Sequence, residues 1–356
     1  MSANTNLGKF SNTNKDILDK VNNIVIGDTL MKKRLVWVDI AKGIAIILMI
    51  IGHEISGNIR TFIFSFHMPL FFILSGFTSG VILTLSKWRQ KLPKILKIYF
   101  LAIFMVVLLS LEKLLVWDVS IYQVGIETLK GIFWGSNTYS THAISTVGVM
   151  WFLIVFVWAK ILFELLQVLF DNKYIGVILG IISYFAYLVS LRRWLPQDLD
   201  IVPIAALFMW VGSILKQGYM RRKTNIGKYI LPFLIFTCFV YWIACLQNSI
   251  NIEMATRHYP YFLVSLLEAL AGTVVISYLS MGIVGYKISN CIAIIGQHTL
   301  AILCIHQLDF YKIFWSGFIN SPWLAALTRL IVDLVILIVI ILLQHSYKNR
   351  FSSSIE

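Results

Sequence analysis

Apolar runs close to twenty residues long follow one another along nearly the whole chain, at roughly 36–55, 59–83, 94–116, 146–170, 174–192, 199–215, 227–246, 260–284, 288–311 and 324–344. A helix needs about that many residues to cross the ~30 Å hydrocarbon core of a bilayer. An isolated strand cannot satisfy its backbone in lipid, and the runs are too long for barrel strands. The expected fold is therefore all-α, a polytopic membrane protein of about ten transmembrane helices. Composition agrees: 58% of the 356 residues are hydrophobic and 13% charged, against about 45–50% and roughly 25% in soluble domains.

The net charge of +13 could suggest nucleic acid, but the charges alternate between loops, as membrane topology requires. One set holds Lys32, Lys33 and Arg34, then Lys87, Arg89, Lys91, Lys94 and Lys97, then Lys216, Arg221, Arg222, Lys223 and Lys228, and finally Lys348 and Arg350. The other holds only Arg60, Lys130, Arg192, Arg193 and Arg257. The bias places both termini in the cytoplasm. Residues 1–33 are too long and polar for a signal-peptide n-region and read as a mobile cytoplasmic tail, with Asp16 to Ile26 a weak surface-helix candidate. Residues 34–345 form the membrane domain and 346–356 a short cytoplasmic tail. The four cysteines lie in apolar runs without metal-ligand spacing and read as buried thiols.

Two outer loops, Trp117 to Ser145 and Gln247 to Tyr259, are rich in aromatics, hydroxyls and amides. They suit carbohydrate, and equally an interfacial aromatic belt.

The stretch GHEISGNIRTFIFSFHMPLFFILSG keeps His53, Glu54, Arg60 and His67 between or within apolar runs. Ionisable groups inside a membrane are expensive and point to function. In VDIAKGIAIILMIIGHE, Lys42 and His53 are eleven residues apart. That is about three turns plus ~20°, so they share one helix face ~16 Å apart along the axis. Asp39 falls beside Lys42. Gly43 and Ala45 permit close packing, Pro69 can kink the second span, and Gly76 eases approach beyond it. An unprotonated imidazole is a good base near neutral pH. A thioester on the cytoplasmic side and a hydroxyl on the outer side need such a base between them, with Lys42 placed either to hold a donor phosphate or to orient Asp39. Neither GxSxG nor HExxH occurs, and no metal is expected.

Five pieces occur in order: RLVWVDIAKGIAIILMIIGH, FSFHMPLFFILSGF, VMWFLIVFVWAKILFELL, VPIAALFMWVGSILK and IGQHTLAILCIHQ. Together they make most of residues 34–345 resemble the membrane acyltransferase 3 family, the O-acetyltransferases of cell-surface sugars. FHMPLFF is similar to the fucose and capsular polysaccharide subgroup. The resemblance implies acetyl-CoA as donor, and a glycan or lipid-linked sugar hydroxyl as acceptor. It implies His53 as the family histidine and His67 as that of FHMP. The family's basic residue, usually Arg, is Lys42 here, which keeps the charge but loses the bidentate fork. No SGNH-type domain follows the last span, so transfer is expected to finish in the membrane domain or with a partner.

The site expected from these readings has His53, His67 and Asp39 as catalytic residues. Lys42 and Arg89 serve the donor, and Glu54, Trp151, Arg257 and His306 the acceptor. Partners are acyl-CoA, the glycan or lipid-linked sugar and membrane lipids, without nucleic acid, and with a homodimer left open. The setting is the cell membrane. His298 is a weaker candidate. Arg329 with Asp333, and Lys160 with Glu164, read as i,i+4 pairs. Glu268 either pairs with another helix or touches the site. His142, His258 and His345 read as solvated. The rivals are a transporter or flippase using the histidines as a proton relay, and a sensor or scaffold whose polar residues only pack helices.

Overall fold

The computed structural model describes residues 34–82, 84–116, 119–136, 147–220, 227–312 and 319–352. The expected tail 1–33, His142 and the basic run Arg221, Arg222 and Lys223 lie outside the described residues, as do the side chains of Lys228, His345, Lys348 and Arg350. Among the described residues the fold is helical, with one isolated β-bridge between Glu253 and His258. The helices are α1 (Val36–Glu54), α2 (Asn58–Phe64), α3 (His67–Thr78), α4 (Leu85–Val116), α5 (Ile121–Trp134), α6 (Trp151–Leu169), α7 (Asn172–Ser190), α8 (Val202–Met220), α9 (Gly227–Gln247), α10 (Phe262–Gly282), α11 (Lys287–Gln297), α12 (Thr299–Lys312) and α13 (Pro322–Ser352).

Nine described segments are long and apolar enough to cross a membrane, ten if the bent pair α11–α12 counts as one. The chain is a multi-pass membrane protein. α2 and α3 together make the second span. Its break falls at Ser65–Phe66, just before the proline. Pro69 then sits in the first turn of α3, where a missing N–H costs nothing. The ninth apolar run is bent by 68° at His298.

The loop expected from Trp117 to Ser145 contains a helix instead. In α5, Val124, Glu127 and Gly131 face inward, and Gly135 closes the helix in the left-handed region at φ 81°. Thr128 Oγ1 donates to Ser110 Oγ of α4 at 2.7 Å. Gly125 and Gly131, with a hydroxyl and two charges between, hid this amphipathic pattern.

The bundle has an inner and an outer set of helices. The spans of α1, α2–α3 and α6 are 61%, 67% and 67% buried, while those of α9 and α13 are 11% and 22%. Lipid is as apolar as the side chains it meets, so the outer helices can be apolar all round. Lys42, His53, Glu54 and His67 lie on the inner set.

Glycines set how closely those inner helices meet. A Cβ at Gly296 of α11 would lie 1.7 Å from the Asp39 carbonyl oxygen of α1, and one at Gly43 would lie 2.2 Å from that of Ile292. α3 and α8 repeat the device: a Cβ at Gly76 would come within 1.8 Å of Met209 O, and one at Gly212 within 1.9 Å of Ile73 O. The sequence marked Gly43 and Gly76 as contact points; the structure supplies their partners. The four cysteines are free thiols, with Cys245 buried and Cys291 exposed.

Candidate functional site

His53 sits in the last turn of α1, where its Nδ1 lies 2.8 Å from the carbonyl oxygen of Met49. A carbonyl can only accept, so Nδ1 carries the proton and Nε2 the lone pair. His67 opens α3 with its Nδ1 3.0 Å from Ile63 O, which fixes the same tautomer. The Phe64 ring packs against both, 5.3 Å from His53 and 4.8 Å from His67 between centroids. Arg60 lies over the Phe64 ring at 4.5 Å and reaches Glu253 of the 248–261 loop at 2.9 Å.

A third histidine completes the group. The His306 ring of α12 is 5.1 Å from that of His53. Its Nδ1 is 3.0 Å from Asp333 Oδ2, and both side chains are fully buried. Arg329, one turn before Asp333 on α13, donates to Glu54 Oε1 at 2.5 Å and to His306 O at 3.4 Å. α1, α12 and α13 therefore meet through one polar network. Buried charges are costly unless paired, and here each described carboxylate of the network has a cation or imidazole against it.

Lys42 marks the other end of α1. It lines a cavity of about 300 Å³ with Ser75 and Thr78 of α3, Phe152 and Phe156 of α6, and Leu303 of α12. Met68, next to His67, is also on the wall. So are Thr299 and Leu300, just past the bend at His298. Irregular backbone is tolerated at membrane depth where it lines a cavity. Asp39 directs its carboxylate to Arg34 at 2.6 Å rather than to Lys42. Beyond Thr78, the Ser79 hydroxyl accepts from Lys160 at 2.9 Å and its carbonyl from Lys216 at 3.0 Å. Lys160 also meets Glu164 at 3.2 Å, as the i,i+4 spacing predicts, and Lys91 approaches the same carboxylate at 3.8 Å. Cations thus gather at this end.

A family profile described as an acyltransferase domain matches residues 35–345. The chain belongs to the acyltransferase 3 family. It is a membrane acyltransferase, and the polar network and cavity lie within the matched residues. Searches of curated proteins and of solved structures returned no match.

In this acyltransferase the sequence candidates fall in several separate places. His53, Glu54 and His306 join one network, and His67 adjoins it through Phe64. Trp151 heads α6, and Gln307 clamps the turn before it: Val149 N–H donates to Oε1 at 2.9 Å, and Nε2 donates to Val147 O at 3.0 Å. That clamp needs Gly148, whose φ is +51° and whose Cβ would meet Gln307 at 2.3 Å. Lys42 and Asp39 sit at the opposite end of α1. Arg89 is exposed in the second turn of α4 and is not on the cavity wall. His298 lies at the bend with Nδ1 2.9 Å from Ile294 O.

Arg257 is placed differently from the expectation of an open acceptor contact. It is buried, stacks over Trp194 at 3.4 Å, and donates from Nε to Asp200 at 2.8 Å, from Nη2 to Asp198, and from Nη1 to Ala255 O. All three nitrogens are committed, so it pins the 248–261 loop rather than offering a hand to a ligand. Burial opposes its charge, but the bonds to Asp200 and the field of Asp198 outweigh it and hold the guanidinium above its ordinary value. Tyr259 beside it is raised by burial.

Three residues were misread or unweighted in the sequence. Arg329 and Asp333, expected to pair with each other, bond to Glu54 and His306 on other helices. Gln307 was noted only as the end of a motif. A charged pair inside the most apolar span was the available signal. Glu268 is fully buried and accepts from Ile252 N–H at 3.3 Å, so it ties the loop to α10.

Proposed function

We propose that this acyltransferase moves an acetyl group from acetyl-CoA to a hydroxyl of a cell-surface glycan or its lipid-linked precursor, at the cell membrane. The observation that carries this reading is the division of labour along α1: a cation-ended cavity at Lys42 and a lone-pair-bearing imidazole at His53. A slender, mostly uncharged acyl arm suits an apolar cavity with a few hydroxyls. The phosphates of CoA suit the lysines around its mouth, which on the charge bias is the cytoplasmic end, with both termini on that side.

The step is a direct transfer. His53 Nε2 takes the proton of the acceptor hydroxyl as its oxygen bonds to the thioester carbonyl carbon. The C–S bond breaks, the thiolate leaves with the electron pair, and the proton ends on sulfur. The step as written uses no metal. Lys42 orients the donor, and the Arg34–Asp39 pair sets the field beside it. His67 is a reserve proton carrier behind Phe64. Glu54 and Trp151 shape the acceptor side of His53, and Arg257 acts there only by holding the loop. The FHMPLFF motif favours a fucose- or capsule-like sugar as acceptor.

Membranes carrying wild type or His53→Ala at matched levels, fed acetyl-labelled acetyl-CoA, test this. Label in the glycan and glycolipid fraction with the wild type, reduced by on the order of 10²-fold or more in the variant, supports it. Absence of label with the wild type despite native glycan, together with sugar-lipid flux that needs no acetyl-CoA, would replace it with the transporter reading.

A further inference from the structure

We infer that Asp333 is a positioning residue that holds His306 as a second proton carrier beside His53, on the donor side of the reaction. This rests on the transferase reading above. Three observations carry it. First, His306 and Asp333 are both fully buried and bonded at 3.0 Å. With Asp333 ionised, Nδ1–H donates to the carboxylate and Nε2 keeps the lone pair. That is the geometry by which a buried carboxylate fixes a catalytic imidazole's tautomer and stabilises its protonated form.

Second, α12 connects the two halves of the site. Thr299, Leu300 and Leu303 line the donor cavity. His306 follows Leu303 by three residues, which places it next along the same stripe, and its ring lies 5.1 Å from His53. One imidazole adjoins the acceptor side, and the other follows the cavity-lining residues of α12 along the helix.

Third, the surrounding charges suit a transient cation. Around His306 lie the His53 ring from α1, the Asp333 carboxylate from α13, and Arg329 at its carbonyl, with Glu54 of α1 bonded in turn to Arg329. With both histidines neutral, Glu54 and Asp333 contribute −2 and Arg329 +1, a sum of −1. A proton on His306 brings the sum to zero. With both carboxylates ionised, Asp333 stands as the counter-charge to an imidazolium that would be costly if isolated.

The proton balance is then complete. His53 takes the hydroxyl proton as the C–O bond forms. His306 accepts it from His53, which regenerates the base. His306 gives it to the thiolate released by C–S cleavage, and both histidines finish neutral.

The test compares Asp333→Asn, Asp333→Glu and His306→Gln with wild type and His53→Ala in membranes holding native glycan. Transfer of label from acetyl-CoA is measured from pH 5.5 to 9 and expressed per folded protein, counted by size-exclusion fluorescence. Asp333→Asn should lower the maximal rate about 10²-fold with KM for acetyl-CoA nearly unchanged, and alter the pH profile. Asp333→Glu should recover much of the rate. His306→Gln should resemble Asp333→Asn. If both isosteric variants keep the wild-type specific rate and pH profile, or lose only folded protein, the inference is overturned while the transferase reading stands. If the wild type transfers no label, the transferase reading fails first and takes this one with it.

Discussion

Among the described residues Lys42 is the one cation on the wall of the cavity proposed to hold the donor, and its replacement separates binding from chemistry. Lys42→Gln should raise KM for acetyl-CoA about tenfold, the loss expected for one charge-assisted contact, with kcat little changed. Lys42→Arg should stay close to wild type. Initial rates of label transfer against acetyl-CoA concentration check both, and a fall in kcat with KM unchanged would place Lys42 in the chemistry instead. At this scale the sequence was legible where ionisable residues interrupt apolar runs. His53, Glu54 and His306 stood out for that reason, and all three join one network, Glu54 through Arg329. The clamp role of Arg257 was not legible, because a charge in an aromatic, amide-rich loop reads as an acceptor contact. Its burial depends on Asp198, Asp200 and Trp194, about sixty residues earlier in the chain, and nothing local announces that.

Between elements, the contacts α1–α11 and α3–α8 rest on backbone approach that only glycine allows. Gly296→Ala and Gly76→Ala would set a methyl 1.7 and 1.8 Å from a carbonyl oxygen, so one helix of each pair must shift. Each should cost about 1–3 kcal/mol, the usual range for overpacking, seen as a lower melting temperature of the detergent-solubilised protein. Gly180→Ala, where nothing lies within 4 Å, should leave melting within about 0.5 kcal/mol of wild type. Equal shifts at all three positions would show that helix propensity, not contact, decides. The spans themselves were legible from hydropathy alone. Their interruptions were not: Pro69 suggested a kink at the proline, but the break falls at Ser65–Phe66, and the bend at His298 has no proline near it.

Across the whole molecule, the 248–261 loop binds distant parts of the bundle together. Arg257 holds it to Asp198 and Asp200 before α8, Glu268 holds it to α10, and Glu253 reaches Arg60 beside Phe64. Arg257→Met would strand two buried carboxylates and should cost about 3–5 kcal/mol, while adding Asp198→Asn and Asp200→Asn should recover much of it. Melting and proteolysis of the loop read both. The pH dependence separates this clamp from its neighbour. Arg257 is raised above its ordinary value, which already lies far above neutral pH, so its contribution is fully present there. It therefore stays flat across the working range. Tyr259 is also raised, by burial, and its buried hydroxyl has no hydrogen-bond partner among the described residues. Its neutral form contributes fully below the unfolded-state pKa of about 10 and loses ground as pH rises above that. Tyr259→Phe should therefore melt no lower than wild type at pH 7, since the hydroxyl bonds none of the described residues, and should lose less stability between pH 9 and 11. A variant that melts markedly lower at pH 7 would mean that the phenol bonds across this loop, and that the loop is held by more than its arginine.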